Sequence, residues 1–169
     1  MKEYGLIGFP LSHSFSQKYF TEKFASDHIP DCSYELFPIN DINQLPGLLR
    51  DRPQLRGLNV TIPYKQAVIP FLDELEPVAA RIGAVNVIKL QQGKLVGFNS
   101  DYQGFMQSLQ EFYPEYLQSQ ALVLGTGGAA KAVTAALDYL NIGYKLVSRL
   151  AAPGQLSYEQ LTPGLMSTS

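Results

Sequence analysis

The stretch G-L-N-V-T-I-P-Y-K, residues 57–65, places an amide (Asn59), a hydroxyl (Thr61) and an amine (Lys65) at alternate or near-alternate positions along an apolar run that Pro63 stops. Successive side chains of a strand point to opposite faces. Asn59, Thr61 and the entry to Lys65 should therefore share one face, and Leu58, Val60 and Ile62 the other. The apolar face is expected to pack into a core, which fixes the polar face in direction and makes it a candidate wall of a site. The plainer alternative is a strand that ends in a turn, with Lys65 in solvent.

Working outward toward the amino end, residues 4–8 read as a short buried strand that breaks at Gly8-Phe9-Pro10. The period then becomes helical. Phe15, Tyr19, Phe20 and Phe24 recur on one face, so residues 14–27 should form an amphipathic helix with an aromatic stripe toward the core. Residues 32–39 carry a strand pattern, and residues 41–50 a short helix with Asp41 as cap and Pro46 disturbing it. The quoted stretch is then the third strand, residues 56–62. Toward the carboxyl end, helices are expected over 64–72 and 76–83, interrupted by Pro70 and Pro77, and two strands over 84–98 on either side of the turn Gln91-Gln92-Gly93-Lys94.

Residues 101–112 have a helical pattern with Asp101 in the place of an N-cap, and Tyr113-Pro114 should end that helix. A second cycle follows: strand 120–124, glycine turn 125–128, helix 129–140, strand 144–147, then a loop-like tail. The expected fold is α/β, with an N-terminal mostly parallel open sheet carrying helices on both faces, followed by an incomplete Rossmann-type domain. The expected boundaries are 1–101, a connecting helix and linker at 102–118, and 119–169. The second cycle holds about one βαβ unit, whereas a mononucleotide-binding half needs βαβαβ.

The 169 residues are 46% hydrophobic and 17% charged, with a formal net charge of -2. That composition can bury a core, and it leaves no basic footprint for nucleic acid or an anionic membrane. A single cysteine, Cys32, excludes an internal disulfide and a cysteine metal site and fits a reducing compartment. The N-terminal residues lack a signal-peptide pattern, and no apolar run approaches the roughly 20 residues a membrane helix needs. A cytoplasmic protein without a metal is expected; oligomeric state is not legible.

Gly125-Thr126-Gly127-Gly128-Ala129-Ala130 fits G-x-G-x-x-A between an expected strand and an expected helix. Glycines permit the tight turn and let the backbone approach a pyrophosphate, whose charge suits a helix N-terminus. The alternative is a merely structural turn. The following strand ends at Ser148-Arg149, where an NAD-selective site usually has a carboxylate. An Arg there can pair with a 2′-phosphate, which favours NADP, unless it simply lies in solvent. Ser14 and Ser16, at the entry to the first helix, could hold a ligand carboxylate, or Ser14 could form a capping box with Gln17. Asn86 is an amide inside an apolar strand and needs partners. Lys65 and Asp101 are the candidates for moving the proton that reduction of a ketone requires.

Taken in order, H-S-F-S, G-L-N-V-T-I-P-Y-K, G-A-V-N-V-I, G-F-N-S-D-Y-Q-G-F and L-G-T-G-G-A-A-K-A resemble the shikimate dehydrogenase family from Gly5 to Arg149. The resemblance implies NADP-dependent, reversible reduction of 3-dehydroshikimate to shikimate in aromatic amino-acid biosynthesis. It implies that Ser14 and Ser16 hold the substrate carboxylate, that Asn59, Thr61, Asn86 and Asp101 hold its ring hydroxyls, and that Lys65 and Asp101 are the catalytic pair. Gly125, Thr126, Gly127, Gly128 and Ala129 would hold the pyrophosphate, with Ser148 and Arg149 beside the 2′-phosphate. The family commonly has N-R-T where this chain has Ser148-Arg149-Leu150, and its later cofactor strands have no counterpart here. The chain is therefore expected to be an N-terminal portion, inactive by itself. The alternatives are a quinate/shikimate dehydrogenase using NAD and a non-catalytic shikimate-binding module.

Overall fold

The computed structural model describes residues 1–112 and 120–167, and the chain divides into two compact units, Met1–Phe98 and Asn99–Ser169. The first contains β1 (Lys2–Gly8), α1 (Ser16–Ser26), β2 (Cys32–Pro38), α2 (Leu45–Asp51) and β3 (Leu55–Val60). It continues through α3 (Tyr64–Ala67), β4 (Glu74–Leu75), α4 (Pro77–Ile82), β5 (Val87–Gln91) and β6 (Lys94–Phe98). The six strands form one sheet in the order β2-β1-β3-β5-β6-β4. β1 runs parallel to β2 and β3, β4 runs parallel to β6, and β5 is antiparallel to β3 and β6. The β5–β6 connection is too short for a crossover and must be a hairpin. Its central residues, Gln92 (φ 52°) and Gly93 (φ 78°), supply the left-handed pair that such a turn uses.

Alternation along the strands separates two apolar layers. Ile7, Phe37, Leu58 and Val60 pack on one side with Leu45 of α2 and Tyr64 of α3. Leu6 and Tyr34 lie on the other, under Phe20 and Phe24 of α1. The sheet thus carries helices on both faces, as the alternation of the third strand implies.

Several expectations need correction. β3 ends at Val60 and the chain turns, with the Tyr64 N–H donating to the Thr61 carbonyl at 2.9 Å, so Ile62 is 71% exposed rather than part of the apolar face. α1 starts at Ser16, not Ser14, which leaves Phe15 (83% exposed) and Tyr19 outside the packed stripe. The Ser14–Gln17 capping box does not form: Gln17 donates instead to Glu35 of β2 at 3.3 Å, and Ser14 Oγ accepts from the Ser16 N–H. The helix expected over 41–50 splits into a 3-10 turn, Ile42–Gln44, capped by Asp41, and α2. The one expected over 64–72 stops at Ala67 and resumes as a 3-10 turn at Ile69–Phe71. In α4, Glu76 caps, Pro77 occupies the first turn, where its missing N–H is harmless, and Gly83 closes the helix at φ 67°.

The second unit holds α5 (Ser100–Phe112), β7 (Ala121–Leu124), α6 (Gly128–Tyr139), β8 (Tyr144–Val147) and α7 (Pro163–Ser167). β7 and β8 pair in parallel, with Leu124 opposite Val147, and α5 packs against α6. Asp101 is not the N-cap of α5: Asn99 Oδ1 accepts from the Tyr102 N–H at 3.1 Å and takes that part, which places Asp101 inside the first turn. The expected stop at Tyr113-Pro114 lies outside the described residues. The tail after Arg149 is more ordered than a loop, with Leu156 bridging to Val147 and α7 beyond. Among the described residues no helix is long and apolar enough to cross a membrane.

Candidate functional site

β1 has β2 on one side and β3 on the other, and the chain leaves β1 toward the face covered by α1 but leaves β3 toward the face packed by α3. Such a reversal opens a crevice at the carboxyl ends of the strands, where ligands of open α/β sheets bind. Most of the first unit's candidate residues collect around it. Ser14 and Ser16 follow β1, Asn59 lies in β3, Thr61 follows β3 and Lys65 is on α3.

The two loops at this end are joined through the backbone. The Thr61 N–H donates to the Ile7 carbonyl and the Phe9 N–H to the Ile62 carbonyl, both at 3.0 Å. Gly8 makes the approach possible: a Cβ there would stand 2.4 Å from Thr61 Cγ2 and 2.9 Å from Leu11 Cδ2. Asn86 is tied to the same edge. Its carbonyl accepts from Val60 at 2.8 Å, its N–H donates to Phe98 at 3.0 Å, and the neighbouring Val85 N–H donates to the Lys65 carbonyl at 2.7 Å. Asn86 is buried at 8% exposure, whereas Ser14, Ser16, Asn59, Thr61 and Lys65 are half-buried. Half-burial holds a side chain in direction while leaving its polar end accessible.

Tyr34 joins this group although no motif in the local sequence marks it. Its ring is buried under α1 and stacked on Phe20, centroids 4.5 Å apart, and its hydroxyl donates to Asn59 Oδ1 at 2.7 Å. Burial pushes its phenol up to about 12, and a hydrogen bond with the Ser16 side chain pulls the other way. Tyr34 is therefore a neutral donor throughout the physiological range. The one available signal was a Tyr, rather than a Phe, in an apolar strand, since a buried phenol needs a partner. A cavity of about 600 Å³ meets the site at Asn59 and Tyr34 and continues along the sheet over apolar groups such as Phe24, Leu90 and Phe98.

In the second unit, β7 leads into the glycine turn and α6. Gly125 adopts φ 116°, which favours glycine, and its N–H donates to the Val147 carbonyl at 2.8 Å. That bond brings the turn beside Ser148 and Arg149, which follow β8. A Cβ at Gly125 or Gly127 would meet nothing within 4 Å, Thr126, Gly127 and Ala129 are exposed, and Gly128 opens α6. The turn is an open backbone cradle before a 12-residue helix, and it fits a pyrophosphate. Ser148 Oγ accepts from the Leu150 N–H at 3.3 Å, and Arg149 is exposed. Lys65 sits in the first unit and Asp101 in the second. Among the described residues no group of three or more His, Cys, Asp or Glu is placed to hold a metal ion.

A switch point with hydroxyl, amide and amine residues in and after its strands, followed along the chain by a glycine-turn βαβ unit, defines a two-unit α/β protein whose second unit is of Rossmann type. Residues 6–88 match the family described as shikimate dehydrogenase substrate binding domain. Over most of its length the chain is similar to shikimate dehydrogenases. It is 41% identical over 159 residues to the shikimate dehydrogenase (NADP(+)) of Syntrophomonas wolfei, a match covering 87% of this chain and 53% of that protein. The crystal structure of shikimate dehydrogenase 1 from Peptoclostridium difficile superposes with a TM-score of 0.83 at 34% identity, over 95% of this chain and 62% of that one. The Thermus thermophilus shikimate 5-dehydrogenase in complex with NADP(H) and shikimate gives 0.76 at 35% identity, over 88% and 56%. The chain thus spans little more than half the length of the relatives it matches.

Proposed function

We propose that this chain supplies the substrate unit, and the opening of the cofactor unit, of a cytoplasmic NADP-dependent enzyme that interconverts 3-dehydroshikimate and shikimate. The observation that carries the reading is the switch point at the carboxyl ends of β1 and β3. There the backbone bonds Thr61 to Ile7 and Phe9 to Ile62 hold the serine loop against the polar end of the third strand. A ring bearing a carboxylate and several hydroxyls needs hydroxyl donors at one end and amides along the other, and that is the inventory present.

In this reading Ser14 and Ser16 donate to the carboxylate, and Asn59, Thr61, Asn86 and Asp101 hold the ring oxygens. NADPH, when bound, supplies the hydride that reduces the ring ketone. Hydride addition at the carbonyl carbon leaves an alkoxide that must take up a proton; Lys65 Nζ donates it, and Asp101 is assigned the role of partner as Lys65 recovers a proton from solvent. The backbone of the glycine turn (Gly125, Thr126, Gly127, Gly128 and Ala129) holds the pyrophosphate. Ser148 and Arg149 are assigned to the 2′-phosphate, which the planar guanidinium of Arg149 would suit.

Calorimetric titration of shikimate into the 169-residue chain tests the substrate assignment. Saturable binding is expected, and Ser14→Ala should weaken it roughly ten- to a hundredfold, the value of a hydrogen bond to a charged group. Absence of saturable binding, or indifference to Ser14→Ala, would sink the assignment. In the whole enzyme Arg149→Ala should lower the preference for NADP over NAD by roughly ten- to a hundredfold through loss of NADP turnover. A preference that does not move would return Arg149 to solvent and reopen the NAD-dependent quinate/shikimate reading.

A further inference from the structure

We infer that Tyr34 is a positioning residue of the substrate pocket: its hydroxyl decides which edge of the Asn59 amide faces the ligand. The inference rests on the substrate assignment above. A side-chain amide is ambivalent, offering an acceptor oxygen at one corner and two donor N–H bonds at the other. Asn59 is half-buried at the end of β3, where either corner could be turned toward the crevice. The Tyr34 hydroxyl donates to Asn59 Oδ1 at 2.7 Å, which occupies the acceptor corner and leaves Nδ2 as the group presented to a ligand. The site then offers a donor at this point and selects a ligand oxygen, as a ring hydroxyl provides, over a ligand N–H.

The phenol is itself held in place. The residue is 4% exposed, its ring is stacked on Phe20 of α1 at an interplanar angle of 15°, and its hydroxyl is bonded to Asn59. β2, which carries Tyr34, lies two strands from β3 across β1, so the bond spans the strand after which the serine loop begins. The bond also draws on a proton that is not lost at physiological pH, because burial keeps the phenol neutral.

The test is a double-mutant cycle read by shikimate titration. Tyr34→Phe keeps the ring and its stacking on Phe20 and removes only the oxygen. It is expected to weaken binding about tenfold, the value of one hydrogen bond relayed to the ligand. In an Asn59→Ala background the same substitution should weaken binding by about twofold or less, because its route to the ligand has gone. Equal losses in both backgrounds would reduce Tyr34 to a packing residue and overturn the inference, as would unchanged binding by Tyr34→Phe alone. If the unsubstituted chain binds no shikimate, the substrate assignment itself fails and takes this role with it, an outcome distinct from the other two.

Discussion

Replacing Lys65 with alanine in the whole enzyme is expected to lower shikimate turnover by about 10² to 10⁴ while changing shikimate affinity comparatively little, the range for loss of a positioned proton donor. The structure makes this substitution readable. α3 is anchored by its backbone and by its neighbours: the Lys65 carbonyl accepts from the Val85 N–H at 2.7 Å, and Tyr64 and Val68 on either side are buried. Removing the side chain beyond Cβ therefore leaves the helix in place. Paired measurements of turnover and of shikimate affinity by titration separate the two roles. Unchanged turnover would remove Lys65 from the chemistry, and a large loss of affinity would make it an anchor instead.

The second large effect is on stability. Leu58 is 2% exposed and belongs to the same cluster as Ile7, Val60, Tyr64 and Ile88. Leu58→Ala should destabilise the first unit by about 3 kcal/mol, within the range for a leucine truncated in a packed core. At the few degrees per kcal/mol usual for a domain of about 100 residues, this corresponds to a melting transition lowered by roughly 15 °C. Scanning calorimetry checks it. A drop of only a degree or two would mean that the apolar face of β3 is not the core face, and the direction assigned to Asn59 would fall with it.

The direction of β3 could be read in the sequence because a half-buried strand repeats every two residues, and Leu58, Asn59 and Val60 obey that period. The period fails at Ile62 for a local reason: the strand has ended and the Thr61–Tyr64 turn has begun. The Ser14–Gln17 pair shows the opposite failure. Its local pattern fits a capping box, yet Gln17 reaches Glu35 on the next strand, a partner that only the folded chain brings near. β4 was not legible because two residues cannot display a period. Tyr34 was hidden by its surroundings, since within Cys32–Pro38 an aromatic reads as core, and core it is; what mattered was the oxygen at its far end. The glycine turn was the most legible feature of the second unit, because Gly125 at φ 116° is a backbone requirement written directly as a residue type.

The paired backbone bonds across Gly8 have a mechanical consequence. Thr61 to Ile7 and Phe9 to Ile62 form two rungs between the ends of neighbouring strands, with the Thr61 and Leu11 side chains packed into the space that a Cβ at residue 8 would need. The serine loop and the end of β3 are thereby braced into one stiff piece, and their thermal displacements are correlated rather than independent. A ligand that touches both has one body to immobilise in place of two, so less of its contact energy is spent on ordering the pocket. The smallest residue in the chain thus lowers the entropic barrier to binding by letting two segments move as one.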